Sequence, residues 1–138
     1  MKRQRGRPEL NIAATKIGII AIVDDDEPLR EALGSVLKAA GFSIDLFASA
    51  EEFLESPARP AIACLILDVR LPGMSGIELQ RRLSEVGDTV PIIFVTAHGD
   101  ASLRDVLMKA GAAGFLNKPV RSDALLREIR AALQRVRD

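Results

Sequence analysis

From residue 17 onward, short runs of branched apolar residues alternate with longer stretches in which apolar positions recur every three or four residues. That alternation predicts a βα repeat and a parallel sheet. Residues 17–23 are apolar throughout, as a strand covered on both faces should be, and the run stops at Asp24-Asp25-Asp26. Pro28 then suits a first helical turn. Leu29, Ala32, Leu33, Val36, Leu37 and Ala40 share one stripe before Gly41 offers a stop.

The unit recurs four times with different punctuation. Residues 42–47 alternate enough for a more exposed strand, and Ser49 with Glu52 forms a capping box opening a short helix through Leu54. Residues 61–67 form a second all-apolar strand, stopped by Asp68. After the turn Leu71-Pro72-Gly73-Met74, Ser75 and Glu78 cap a helix whose stripe is Leu79, Leu83 and Val86. Residues 91–95 make a fourth strand, ended by Thr96. The helix beginning near Asp100 carries Leu103, Val106, Leu107 and Ala110 before Gly111. Residues 113–116 are short and glycine-interrupted, which suits a strand at a sheet edge, followed by Asn117-Lys118-Pro119. The last helix, from about 122 to 136, presents Leu125, Leu126, Ile129, Leu133 and Val136 on one face. Five strands and five helices in strict alternation predict a doubly wound α/β domain, and right-handed crossovers favour the strand order 2-1-3-4-5.

Composition narrows the class. In 138 residues, 48 % are hydrophobic and 28 % charged, which fits one globular domain and excludes fibrous or disordered chains. Without Trp or Tyr, and with five Phe, the core must be aliphatic. No apolar run approaches the roughly 20 residues that span a bilayer, and the basic start lacks the apolar segment of a secretory signal. The lone Cys64 can form neither an internal disulfide nor a multi-cysteine metal site, so the expected location is cytoplasmic. Nineteen basic and nineteen acidic residues cancel overall, but unevenly. Residues 1–16 carry Lys2, Arg3, Arg5, Arg7 and Lys16 against Glu9, a net of +4, and the remainder stands at −4. Residues 1–15 read as a flexible basic leader and 16–138 as the domain. Its acidic body argues against direct nucleic-acid binding.

All strand C-termini of a parallel sheet emerge at one edge, where ligands bind near the reversal of strand order. After strand one stand Asp24, Asp25 and Asp26; after strand three, Asp68; after strand four, Thr96; after strand five, Lys118. Strands one and three are neighbours, so their carboxylates converge. Carboxylates about 4 Å apart repel by roughly 4 kcal/mol per pair at an effective dielectric near 20, so a cation must sit among them. A divalent ion and the ammonium of Lys118 are both candidates, and hard oxygen ligands without His or Cys favour Mg²⁺ or Mn²⁺ over zinc. Thr96 and Lys118 converge on a space suited to a phosphoryl group. A carboxylate flanked by a metal and a lysine is equipped to accept one as an acyl phosphate. Each feature also has a plain reading: Asp26 and Glu27 as turn and helix N-cap, Thr96 as a β-former, Lys118 as a loop residue. Four strand ends bearing Asp-Asp, Asp, Thr and Lys together favour the functional one.

At these residues the chain resembles the receiver domain of two-component response regulators. The resemblance covers about residues 17–136. It is carried by Ile22-Val23-Asp24-Asp25-Asp26-Glu27-Pro28-Leu29-Arg30, by Leu65-Ile66-Leu67-Asp68-Val69-Arg70-Leu71-Pro72-Gly73-Met74-Ser75-Gly76, by Val95-Thr96-Ala97-His98-Gly99-Asp100, and by Gly111-Ala112-Ala113-Gly114-Phe115-Leu116-Asn117-Lys118-Pro119. The last two look most like the nitrogen-fixation type of regulator, whose members often carry a helix-turn-helix (LuxR-type) output domain. The resemblance implies a flavodoxin-like (βα)5 fold. It also implies Asp68 as acceptor of a phosphoryl group from a sensor histidine kinase or histidine phosphotransfer protein. Asp24, Asp25, Asp68 and the Arg70 backbone carbonyl would hold Mg²⁺, with Mn²⁺ as a substitute. Thr96 would bond a phosphoryl oxygen and Lys118 would pair with the group. The Lys118–Pro119 peptide would be cis. Phe115 would be the switch aromatic, turning inward as Thr96 moves, with the change read out on the face of helix four, strand five and helix five, where Ala113 is a contact candidate. Receivers of this kind often form a phosphorylation-dependent homodimer through that face. Arg70 and His98 would tune loss of the phosphoryl group from the rim; His98 lacks the partners of a catalytic base.

Three other readings fit less well. A haloacid-dehalogenase-type phosphatase needs a second Asp where Arg70 stands, and a flavodoxin-type electron carrier needs a hydroxyl-rich phosphate loop where three carboxylates stand. A non-phosphorylated scaffold would not need every phosphorylation residue in place. The expected role is a signalling phosphoacceptor rather than an enzyme acting on other substrates. Its output is either a separate protein partner or an effector domain of a longer DNA-binding regulator.

Overall fold

In the computed structural model, which describes residues 18–137, the alternating pattern folds into ten elements. In chain order these are β1 (Ile19–Val23), α1 (Glu27–Ala39), β2 (Ser43–Phe47), α2 (Ala50–Glu55) and β3 (Ile62–Asp68). They continue with α3 (Gly76–Glu85), β4 (Ile92–Thr96), α4 (Ala101–Lys109), β5 (Gly114–Asn117) and α5 (Ser122–Arg137). A 3₁₀ turn at Arg59–Ala61 precedes β3, so Ala61 lies just outside that strand. The leader, residues 1–15, lies outside the described residues.

The sheet is parallel throughout, in the order β2-β1-β3-β4-β5. Strand alternation sends Ile20, Ile22, Cys64, Ile66, Ile93 and Val95 to one face, where Leu33 and Leu37 of α1 and Leu125 and Ile129 of α5 cover them. The opposite face carries Ala21, Val23, Leu65, Leu67 and Phe94 under α2, α3 and α4, through Phe53, Leu79, Leu83 and Leu107. Two apolar cores thus enclose β1, β3 and β4; the second is not purely aliphatic, since Phe47, Phe53 and Phe94 are buried in it, and the sheet edges fall on β2 and the four-residue β5.

Helix starts follow the capping chemistry written in the sequence. Asp26, Ser49, Ser75 and Asp100 each accept a backbone N–H from the first turn of α1, α2, α3 and α4. At α2 the Glu52 carboxylate reaches back to the Ala48 N–H at 3.0 Å while Ser49 Oγ takes the Glu52 N–H, a capping box displaced by one residue. Asp26 therefore fills the N-cap role that its position suggested.

Several stripe residues do not face the core. Val86 is 73 % exposed because α3 ends at Glu85 and Val86 is its C-cap, beyond the last helical turn. Val106 is 61 % exposed and Ala110 is also exposed: α4 seats on Leu107, with Leu103 and Met108 beside it, a narrower stripe than the spacing suggested. Ala32 is exposed on α1, where Gly34 is buried against Ile44 of β2 instead. The side chain of Val136 lies outside the described ones.

The register fixes the functional edge. Val23 pairs with Leu67, Leu67 with Phe94, and Thr96 with Asn117, so β1, β3, β4 and β5 all end at one level. At the other edge, a cavity of about 940 Å³ opens between the starts of β3 and β4 and the end of α5, lined by Ile62, Ala63, Pro91, Arg130 and Leu133 among others.

Candidate functional site

Asp24 follows β1, Asp68 closes β3, and both are almost wholly buried at 3 % and 6 % exposure. Buried carboxylates need compensation. Lys118, one residue past β5, supplies it: its Nζ lies 2.9 Å from Asp68 Oδ2 and 3.1 Å from Asp24 Oδ2. The remaining oxygens take backbone donors, Asp24 Oδ1 from the Asp26 N–H at 2.9 Å and Asp68 Oδ1 from the Arg70 N–H at 3.1 Å. The Lys118–Pro119 peptide is cis.

Burial raises the pKa of Asp24 above the ordinary carboxylate value, and the nearby Asp68 charge adds to this; the Asp26 N–H and Lys118 only partly oppose it. For Lys118 burial acts to lower the pKa, but hydrogen bonds to Asp68 and Asp24 outweigh it and hold the ammonium above its usual range. Lys118 is accordingly a cation at neutral pH. One positive charge faces two carboxylates at hydrogen-bond distance, and Asp25 brings a third. One oxygen each from Asp24, Asp25 and Asp68 lie within 4.8 Å of one another, Asp25 from the exposed side. The donors are all hard oxygens with surplus negative charge, a set suited to a divalent cation of the Mg²⁺ class and unsuited to zinc.

Thr96 ends β4 beside this cluster, 1 % exposed, and its Oγ1 accepts the His98 N–H at 3.2 Å, leaving its own O–H to donate elsewhere. His98 and Arg70 are exposed around the site, where the sequence placed them. Phe115 of β5 is half-buried and packs on the core beneath α3 and α4. Its ring also lies against Gly99, where a Cβ would sit 2.7 Å from Cζ.

Arg30 closes the first motif, but the sequence assigned it no role. Its Nη1 donates to the Asp24 carbonyl at 2.7 Å, fixing the backbone from which Asp24 projects. The signal was its spacing: Arg30 lies one helical turn after the N-cap Asp26, within reach of the chain that leaves β1. Glu51 was likewise passed over. Its carboxylate accepts the Met74 N–H at 2.9 Å across the loop between β3 and α3, and that bond lowers its pKa.

The family model for the response regulator receiver domain matches residues 20–130. Among curated relatives, the response regulator protein TodT of Pseudomonas putida is 47 % identical over 119 residues, covering 86 % of this chain and 52 % of its own length. The transcriptional regulatory protein FixJ of Bradyrhizobium diazoefficiens is 39 % identical over 120 residues, covering 87 % of this chain and 58 % of its own. The chain spans about half the length of these relatives. Among solved structures, the response regulator StyR superposes with a TM-score of 0.78 at 47 % identity, over 84 % of this chain and 59 % of that one. The crystal structure of FixJ-N superposes with a TM-score of 0.75 at 37 % identity, over 85 % of this chain and 94 % of that one. With four strand ends delivering Asp24, Asp68, Thr96 and Lys118 to one edge and the family model spanning most of the fold, this chain belongs to the response regulator receiver domains of two-component systems.

Proposed function

We propose that Asp68 is a phosphoacceptor, taking a phosphoryl group from the phosphohistidine of a sensor histidine kinase or a histidine phosphotransfer protein. The observation that carries this reading is the Lys118 bridge. A buried carboxylate held 2.9 Å from an ammonium, with two further carboxylates beside it, is arranged for a negatively charged group arriving at its Oδ atoms. A carboxylate oxygen of Asp68 attacks phosphorus, the P–N bond breaks, and its electron pair returns to the imidazole of the donor, leaving a mixed anhydride on Asp68.

Asp24, Asp25, Asp68 and the backbone carbonyl of Arg70 would hold Mg²⁺, or Mn²⁺ in its place. When bound, the cation offsets the carboxylates' charge and that of the transferred oxygens. Lys118, already at Asp68 Oδ2, would pair with the phosphoryl group, and the Thr96 O–H would donate to one of its oxygens. Drawing Thr96 toward the site opens space behind it for the Phe115 ring to turn inward. That two-state change would be read on the α4–β5–α5 face by a protein partner, by a second copy, or by an effector domain of a longer regulator. The likeness to FixJ, itself a transcriptional regulatory protein of which this chain covers 58 %, supports the last of these.

The test is phosphorylation with a small-molecule phosphodonor and Mg²⁺, read by intact mass. One phosphoryl group should add to the chain and none to Asp68→Ala. An adduct that persists in the variant would overturn the assignment, and omission of the divalent cation should suppress the reaction.

A further inference from the structure

The loop from Val69 to Ser75 joins the end of β3 to α3 and carries Arg70. Its base is closed on itself. The Gly76 N–H donates to the Val69 carbonyl at 3.0 Å, and Gly76 lies so close to the Asp68 carbonyl oxygen that a Cβ there would overlap it. The tip, Pro72-Gly73-Met74, turns through Gly73 at φ +74°, a conformation that favours glycine. Val69 and Leu71 anchor the loop in the core and Met74 packs against it, but the Met74 N–H at the tip takes its acceptor from outside the loop.

That acceptor comes from another element. Glu51, in the first turn of α2, accepts the Met74 N–H at Oε2, 2.9 Å away and 23 residues distant in sequence. The same carboxylate lies over Gly73, where a Cβ would meet Oε2 at 2.7 Å, so the glycine turn is shaped around it. Glu51 is itself set firmly. Ala50 and Phe53 on either side are buried in the core, and the reciprocal bonds of Ser49 and Glu52 fix the start of the helix.

We infer that Glu51 is a positioning residue for the phosphoacceptor loop. By fixing the tip at Met74 it constrains the three residues back to Arg70, and so the backbone carbonyl assigned to the divalent cation. The inference rests on the phosphoacceptor reading of Asp68. Its chemistry is that of an outer partner holding a ligand in place, the kind of contact whose loss weakens cation binding more than it alters the transfer step.

The experiment compares the 138-residue chain with Glu51→Ala and Glu51→Gln. The Mg²⁺ concentration giving half-maximal phosphorylation by acetyl phosphate is measured alongside hydrogen exchange at the Met74 amide. Glu51→Ala should raise the half-saturating Mg²⁺ by about three- to tenfold, below the roughly 10–100-fold usual for outer partners because the carboxylate is exposed and acts through the loop, with the rate at saturating Mg²⁺ unchanged. Glu51→Gln, which keeps an acceptor oxygen without the charge, should recover part of that loss. Met74 exchange should quicken in the same order. Unchanged half-saturation in both variants would overturn the inference, and so would a fall in rate that persists at saturating Mg²⁺, which marks general damage to the fold. If the unsubstituted chain takes up no phosphoryl group, the phosphoacceptor reading fails. Accelerated Met74 exchange in Glu51→Ala would then still show the tether.

Discussion

Replacing Lys118 with Met removes the cation from the centre of the site while keeping most of its aliphatic volume. Lys118 makes ion pairs at 2.9 Å and 3.1 Å, each worth about 5 kcal/mol at an effective dielectric near 20, before the cost of taking the groups out of water. Without it, the Asp24 and Asp68 carboxylates, whose ligand oxygens lie within 4.8 Å, repel by about 3 kcal/mol or more on the same scale. Losing one partner of a buried pair costs roughly 3–5 kcal/mol, and the 18 % exposure of the Lys118 side chain admits enough water to bring this to about 2 kcal/mol. For a domain of this size that is a fall in Tm of about 6–10 °C in EDTA. Mg²⁺ should then raise the Tm of Lys118→Met by more than it raises the parent's, because in the parent the ammonium already offsets part of the same charge. A ligand at a hundred times its Kd stabilises by about 2.7 kcal/mol, enough to recover the deficit. Thermal unfolding by circular dichroism with and without Mg²⁺ measures all four values. Equal Mg²⁺ increments in the two proteins would refute the reasoning, since they would mean that Lys118 and the cation do not share the same carboxylates.

Other expectations concern residues around this site and in the core. Gly76→Ala forces a methyl group into the Asp68 carbonyl, so it should cost upward of about 2 kcal/mol and slow phosphorylation, and urea unfolding that matches the parent would contradict this. Gly99→Ala sets a Cβ against the Phe115 ring and should move the aromatic proton shifts of Phe115 in NMR spectra of the unphosphorylated chain; unmoved shifts would show that the β4–α4 loop yields instead. Cys64 is fully buried and its thiol is pushed up to about 12, chiefly by burial, so at pH 8 a disulfide reagent should label it only after denaturant is added. Val86→Ser, at an exposed helix cap, should leave Tm nearly unchanged, which distinguishes it from a core position where the same change is costly.

Most of the functional edge was legible in the sequence because a parallel sheet leaves few choices. Once β1, β3, β4 and β5 were recognised, Asp24, Asp68, Thr96 and Lys118 had to stand at the same level, whatever the details of packing. Periodicity was a weaker guide to the helices. It identifies an apolar stripe without its width, so Val106 and Ala110 read as core although α4 seats chiefly on Leu107, and Val86 read as core although the helix had already ended. Contacts that depend on how elements sit in space were the least visible. Nothing local to Glu51 connects it with Met74, and the link exists only because the first turn of α2 lies beside the loop that follows β3.

The cavity at the far edge of the sheet bears on how such a unit is wired into larger proteins. Gly18, just before β1, lies against Ala63, and α5 contributes Leu133, so the first strand and the last helix both border that cavity. The acidic pole at Asp68 is on the opposite side. The chain thus enters β1 and leaves α5 at the pole opposite Asp68. Substitutions that alter what borders that cavity can therefore be made without touching the carboxylates at the opposite pole.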